Sequence, residues 1–338
     1  MARRSEHQEL VAAWRALGTE MENSEGWHTI SLAGEARFPI QAGRRFPGNE
    51  EALLLAFSKA NVPSTEHLPQ GKGFSVSRVD LGPETDKCWL AISRRREGNL
   101  DLFTSMVQDI IDTLRESGAS SEDRISQLLF SRIRAWQDFM RRDTDGVLEP
   151  EAELGLVGEL LFLQLICRAK VPPTIPITGW VGPVRGIQDF VLGSGAIEVK
   201  TTIAVNGFTA TIDSLDQLDD GKRQPLFLAA VRVRLDERGL SLPDIIDETR
   251  TMITDPFDKG AFDTKLLHAG YLDVTADQYT RHFVYHQTRV FRITERFPRI
   301  TRYAVSPAII AVRYELDIER VAETPVALSD ALELLGVS

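Results

Sequence analysis

Cysteine is scarce in this chain of 338 residues, and long apolar runs are missing. The two cysteines, Cys88 and Cys167, lie far apart, and Cys167 falls in an apolar segment, so we expect no disulfide framework. The best candidate for a membrane span, Leu160 to Cys167, is interrupted by Gln164 and too short. The first residues are polar and lack the apolar core of a signal peptide. We therefore expect a protein without membrane segments, located in the reducing cytoplasm.

Several catalytic motifs are also missing. The six histidines and two cysteines form no cluster with the spacing of zinc ligands, and the apolar residues around His282 and His286 favour a strand. No phosphate-binding GxxxxGK[ST] loop is present, so any ATP hydrolysis would belong to a partner. No GxSxG turn supports a hydrolase of the esterase type.

Positive charge is in short supply. The chain has 39 Lys and Arg against 49 Asp and Glu, which gives a net charge of −10 and an isoelectric point near 5.2. Because affinity for nucleic acid comes largely from cations that neutralise phosphates, the composition disfavours an autonomous, tight DNA binder. A local cleft can still bind DNA, and we expect a partner subunit to deliver it.

The order of apolar and turn segments predicts three regions. Residues 1–118 form a β-rich N-terminal domain that ends in a helix, residues 119–240 form an α/β core, and residues 241–338 form an α+β extension. Within the core, a helix from Pro150 to about Ala169 is apolar nearly all round and is therefore buried. Glu159 lies in its middle, where a carboxylate needs a partner, and Gly158 would let the helix approach a sheet closely.

The most informative segment is a predicted hairpin from Ile187 to Thr202. A two-residue loop at Gly193-Ser194 would place Asp189 opposite Glu198. A loop shifted by one residue would pair Asp189 with Lys200, whereas a three-residue loop could turn Asp189 to the other face. In the first two registers two carboxylates and Lys200 converge. Since like charges on one face repel unless a cation lies between them, this arrangement indicates a Mg²⁺ site.

These residues resemble the PD-(D/E)xK nuclease superfamily, with Asp189, Glu198 and Lys200 at the signature positions and Gln188 in place of the proline. A wider set of segments resembles a bacterial family of PD-(D/E)xK-motif proteins. In order along the chain, these segments are Gly155–Leu160, Trp180–Pro183, Ile197–Thr202, Ser214–Leu218 and Phe297–Ile300. The resemblance implies a restriction-endonuclease-like α/β fold, a mixed sheet flanked by helices.

The resemblance also implies a reaction, the hydrolysis of DNA phosphodiester bonds with Mg²⁺ or Mn²⁺. Asp189 and Glu198 would hold the metal ion, Lys200 would orient water or stabilise negative charge, and Glu159 would join as a further ligand. Gln217 is an auxiliary candidate, although Ser214-x-x-Gln217 also fits a capping box at a helix start. Trp180 is expected to be a packing anchor rather than a stacking platform for bases.

Members of the similar family are encoded beside DNA methyltransferases and ATPases in restriction or phage-defence clusters. We therefore expect the protein to bind DNA and partner subunits of the ATPase, helicase or methyltransferase kind. The sequence does not decide whether the chain also forms a homodimer. The main rival is a non-catalytic subunit of such a complex, and a third interpretation is a nuclease specific for RNA or for nucleic-acid structure. Arginines interleaved with aromatic residues predict a DNA-contacting rim, namely Arg289, Arg292, Arg296 and Arg299, although a solvated surface is the alternative.

Overall fold

The computed structural model describes residues 2–18, 25–32, 38–58, 62–81, 87–116, 121–142 and 146–337, with only the backbone for residues 2–8. The chain divides into two compact units, residues 1–145 and 146–338. No helix within these described ranges is both long and apolar enough to cross a membrane.

The first unit is built on a five-stranded antiparallel sheet with the strand order β1-β2-β3-β5-β4. Its strands are β1 (Gly26–Ser31), β2 (Ile40–Phe46), β3 (Glu50–Ser58), β4 (Phe74–Val79) and β5 (Lys87–Arg94). Its helices are α1 (Ala2–Gly18), α2 (Leu100–Glu116) and α3 (Glu122–Arg141). Apolar residues recur every three to four positions in α2 and α3, and these side chains are buried.

The second unit contains a four-stranded mixed sheet with the order β10-β9-β7-β6. Its strands are β6 (Phe190–Leu192), β7 (Gly195–Thr202), β9 (Leu226–Ser241) and β10 (His282–Arg292), and β8 (Thr209–Ile212) pairs separately with β11 (Tyr314–Asp317). Strands β7 and β9 are parallel, whereas β6–β7 and β9–β10 are antiparallel. The helices are α4 (Pro150–Arg168), α5 (Thr174–Gly179), α6 (Leu242–Met252), α7 (Pro256–Ala269) and α8 (Leu328–Leu335).

Two hydrophobic clusters cover the two faces of this mixed sheet. The larger one joins Ile197 and Val199 of β7 to the apolar side of α4 and to α6. The smaller one joins Leu228 of β9 and Phe291 of β10 to the β8–β11 pair. The predicted mixed sheet flanked by helices is therefore confirmed.

The structure divides the chain at a different place from the sequence-based prediction of 1–118, 119–240 and 241–338. Helix α3 belongs to the first unit, because Arg132 and Trp136 both bind Asp109 of α2. The predicted C-terminal extension belongs to the same unit as the core, because β10 is hydrogen-bonded along β9 and completes the sheet. Helix α1 and strand β2 were not predicted from the sequence.

Candidate active site around the β6–β7 hairpin

The hairpin has the two-residue turn that its sequence predicts. Leu192 pairs with Gly195 and Phe190 with Ile197, so the loop is Gly193-Ser194 and the continued register sets Asp189 opposite Glu198. Gly193 has φ +52°, a left-handed conformation that glycine adopts without a steric penalty. The first of the registers considered from the sequence is therefore confirmed.

The tip of the hairpin is seated against α8. The Ser194 N–H donates to the Leu335 carbonyl oxygen at 3.2 Å. A Cβ atom at Gly193 would overlap this same carbonyl oxygen, and one at Gly195 would overlap the carbonyl oxygen of Pro225. The two glycines thus allow both α8 and the start of β9 to approach the turn closely.

Glu198 and Lys200 form an ion pair in the centre of the site. Lys200 Nζ lies 2.8 Å from Glu198 Oε1, and the two side chains are only 15% and 2% exposed. Glu198 Oε2 is buried and has no hydrogen-bond partner among the described residues. A buried carboxylate oxygen without a donor is costly, so this atom marks a position where a cation would be stabilising.

Asp189 is held by one of its carboxylate oxygens. The Val199 N–H donates to Asp189 Oδ2 at 2.7 Å, which fixes the side chain toward β7. Its other oxygen, Oδ1, faces Gly182, where an added Cβ atom would lie 2.8 Å from Asp189 Oδ1 and 2.9 Å from Glu159 Oε2. The space beside Gly182 is therefore bordered by two carboxylates.

Glu159 reaches the site from α4, as the sequence predicts. Its helix lies close to β7 because Gly158 has no side chain, and a Cβ atom there would overlap the Thr201 hydroxyl. Glu159 Oε2 accepts a hydrogen bond of 2.5 Å from Trp180 Nε1. Trp180 is fully buried and packs on Phe262, which confirms its predicted role as an anchor.

Residues 180–182, here called the Trp180 strap, connect the two acids. The N–H groups of Val181 and Gly182 both donate to the backbone oxygen of Asp189, at 2.7 and 3.0 Å. Lys265 of α7 holds the strap from outside, because its Nζ contacts the carbonyl oxygens of Ile177, Thr178 and Trp180 at 2.6, 2.9 and 2.5 Å. Sequence reasoning missed Lys265, since its partners lie more than eighty residues earlier and no local motif joins them.

The electrostatics of the site favour a bound cation. Burial raises the pKa of Asp189 to about 6, even though the Val199 N–H and Lys200 act to lower it. Burial, and then repulsion from Asp189, raises the pKa of Glu159 and of Glu198 well above the ordinary glutamate range. Burial alone would lower the pKa of Lys200, but attraction to Glu198 and Asp189 outweighs it and raises that pKa. The ammonium therefore stays charged while the acids repel one another.

Gln188 and Gln217 hold neighbouring backbone. Gln188 is buried, and its Nε2 donates to the carbonyl oxygens of Asp216 and Gln217 at 3.0 and 3.3 Å. Gln217 Oε1 accepts from the Asp213 N–H at 2.8 Å, and residues 215–218 form a turn rather than a helix. Gln217 thus stabilises local backbone, as in the capping alternative. The helix that a capping box at Ser214-x-x-Gln217 would begin is replaced by this turn.

The four C-terminal arginines fall into two pairs. Arg289 binds Glu319 at 3.0 Å, and Arg299 binds Asp220 at 2.8 Å, so both are held in ion pairs. Arg292 and Arg296 are exposed and have no side-chain partner among the residues that the structure describes. The DNA-contacting rim stays a prediction, and Arg292 and Arg296 are its available cations.

The carboxylates fit a hard divalent cation such as Mg²⁺, which prefers oxygen ligands. Within the described ranges no three His, Cys, Asp or Glu side chains already converge as a set of metal ligands, and Glu198 Oε1 is turned to Lys200. Two features instead indicate that a cation fits here: Glu198 Oε2, which has no partner among the described residues, and the space at Gly182 between Asp189 and Glu159.

Comparison with known families agrees with this geometry. A family model described as "Putative PD-(D/E)XK family member, (DUF4420)" matches residues 10–319. No curated protein and no solved structure matches the chain.

Proposed function

The chain belongs to the DUF4420 family, which is described as a putative PD-(D/E)XK family member, and we propose that it is a metal-dependent endonuclease that hydrolyses DNA phosphodiester bonds. The observation that carries this proposal is the buried Glu198, whose Oε2 has no partner in the part of the chain that the structure describes, while Asp189 lies opposite it across the hairpin. If Glu198 only formed an ion pair with Lys200, its Oε2 would stay buried without a cation or donor, whereas a bound metal ion would be the partner of that oxygen.

Each residue then has a defined task. Asp189 and Glu198 would hold a Mg²⁺ or Mn²⁺ ion, with Glu159 as a further ligand. The ion would supply a bound water of lowered pKa and neutralise charge on the scissile phosphate. The Val199 N–H keeps one Asp189 oxygen in place, so that the other faces Glu159. Lys200, held by Glu198, would position the attacking water or stabilise negative charge that develops on the phosphate.

Two measurements test the proposal, and only one of them depends on catalysis. Plasmid cleavage should require Mg²⁺ or Mn²⁺ and disappear when a chelator is added. Without DNA, Mg²⁺ should raise the melting temperature, because a ligand at a hundredfold excess over its Kd stabilises the native state by about 2.7 kcal/mol. Cleavage that persists in a chelated reaction would refute the two-carboxylate mechanism.

Lys200→Gln separates an enzyme from a scaffold. Its amide can still donate to Glu198, so we expect the fold to survive, while the loss of the ammonium should slow cleavage about a hundredfold or more. The matched control is Lys222→Gln, which removes an exposed lysine from a surface ion pair with Asp216. Full cleavage by Lys200→Gln would favour the non-catalytic subunit.

We propose further that the protein acts within a restriction or phage-defence system, together with partner subunits. The acidic net charge of −10 supports a partner that brings the DNA. Cleavage assays with and without the products of neighbouring genes test this, and equal rates in both would contradict a required partner.

A further inference from the structure

An open cavity of about 390 Å³ lies on one face of the N-terminal sheet. The other face carries Leu53, Leu55 and Ile92, which are fully buried, and α1 reaches that face through a bond of 2.8 Å from Arg44 Nε to the Trp14 carbonyl oxygen. The open cavity is here called the serine–arginine groove, and the lining residues that matter are Trp27, Arg45, Ser75, Ser77, Ser93 and Arg96.

Two arginines in the groove are free to bind an anion. Arg45 and Arg96 are exposed, and neither has a side-chain partner among the residues that the structure describes. Arg94 and Arg95 also line the groove but are engaged, Arg94 with Glu51 at 2.7 Å and Arg95 with the Phe74 carbonyl oxygen at 3.2 Å. Only two acids, Glu50 and Glu97, stand against these four cations in the lining.

Strand pairing places an aromatic ring and hydroxyls beside these cations. Trp27 of β1 pairs with Arg45 of β2, and Ser75 of β4 pairs with Ser93 of β5, so the members of each pair lie side by side on the sheet. The hydroxyls of Ser75, Ser77 and Ser93 have no hydrogen-bond partner within the described ranges. Trp27 is half-buried and packs at the edge of a small buried cluster formed by Ala52, Leu54 and Ala91.

We propose that the serine–arginine groove binds single-stranded nucleic acid. Guanidinium groups match phosphate oxygens through paired N–H donors, and the serine hydroxyls can donate to the same oxygens. A base stacks on Trp27, which requires a base that is not already stacked and paired in a duplex. The whole chain has a net charge of −10, so the positive charges of Arg45 and Arg96 attract a nucleic-acid strand only locally, at the groove.

Binding of a labelled oligothymidylate to the full chain, measured in a chelator, tests this proposal independently of cleavage. Arg45→Gln with Arg96→Gln should weaken binding about tenfold or more at low salt and reduce the salt dependence of log K by about 1.4, the contribution of two phosphate contacts. Trp27→Leu should weaken binding about fivefold or more, and Trp27→Phe should restore part of it.

The matched control is Arg238→Gln with Arg320→Gln, which removes two charges from exposed arginines elsewhere. It should leave binding unchanged within about twofold. Equal losses in the control and in the groove variant would overturn the proposal, as would a wild-type chain that does not bind the strand. A duplex bound as tightly as the single strand would overturn the stacking on Trp27.

Discussion

Asp189 carries an electrostatic conflict that a single substitution can relieve. Its pKa is raised to about 6 by burial, so above pH 6 the folded protein holds a carboxylate at a cost that the unfolded chain does not have. Asp189→Asn keeps an oxygen for the Val199 N–H but removes the charge. Without metal we expect the free energy of unfolding at pH 7.5 to be unchanged or higher by about 1–2 kcal/mol, with cleavage abolished.

Thermal melts with and without Mg²⁺ decide this prediction. The wild type should gain stability from Mg²⁺ and Asp189→Asn should gain much less, because one ligand is lost. If Asp189→Asn is severely destabilised without metal, then Asp189 is a partner in a structural ion pair.

Lys265 gives a second prediction at the scale of single residues. Burial lowers the pKa of its ammonium to about 8, so the charged form costs stability below that pH and the cost disappears as pH rises toward 10.5. Near pH 7, Lys265→Met should still lose about 1–3 kcal/mol, because the carbonyl oxygens of Ile177 and Trp180 lose their donor. Between pH 8 and 10.5 the free energy of unfolding of the wild type should rise by about 1–3 kcal/mol relative to that of the variant.

Denaturant titrations at several pH values measure this difference, and Lys259→Met on the same helix is the control. A gap between wild type and Lys265→Met that stays constant with pH would contradict the assignment, and so would equal losses in both variants.

The residues of the hairpin could be predicted because their pattern is local. The convergence of Asp189, Glu198 and Lys200 follows from one turn and one alternation of side chains. The cost of a carboxylate in an apolar helix indicated only that Glu159 needs a partner, and its place beside the hairpin was implied by the family resemblance. Lys265 could not be predicted, because a lysine that binds distant carbonyl oxygens has no sequence signature.

The contact between α4 and β7 allows a prediction at the scale of whole elements. Alanine favours a helix over glycine by about 1 kcal/mol, but at Gly158 its Cβ would overlap Thr201, so Gly158→Ala should destabilise by about 1–3 kcal/mol. Gly155 lies on the same helix, and no described atom lies within 4 Å of an added Cβ, so Gly155→Ala should stabilise by up to about 1 kcal/mol.

A double-mutant cycle checks the cause. Thr201→Ala removes the hydroxyl and the methyl group, including the atom of closest overlap, so Gly158→Ala with Thr201→Ala should be more stable than the sum of the single changes predicts. Simple additivity would mean that the loss does not come from this contact.

Elements were predictable where their periodicity is clean. Helices α2 and α3 show regular apolar spacing, and the apolar helix predicted from Pro150 to about Ala169 is α4, Pro150–Arg168. Strand β2 was missed because Gly43, Arg44 and Arg45 interrupt its alternation, although Arg44 is held in place by Glu51 at 2.8 Å. That pairing partner belongs to the next strand and could not be inferred from β2 alone.

At the scale of the whole molecule, the second unit contains every residue of the candidate site and both clusters that cover its sheet. We expect a fragment of residues 146–338 to unfold cooperatively and to show the same rise in melting temperature with Mg²⁺ as the full chain. Calorimetry of the fragment checks this, with residues 1–145 as the unit that should not respond to Mg²⁺. A soluble fragment without a Mg²⁺ response would contradict the self-contained site.

The seat of the hairpin turn on α8 has a consequence for the order in which the protein matures during synthesis. Asp189, Glu198 and Lys200 leave the ribosome more than a hundred residues before Leu335, whose carbonyl oxygen receives the Ser194 N–H. Until α8 emerges, the turn between the two acid-bearing strands lacks its final support. Translation itself therefore delays completion of the site, and a chain that ends before Leu328 lacks the helix that supports the hairpin tip.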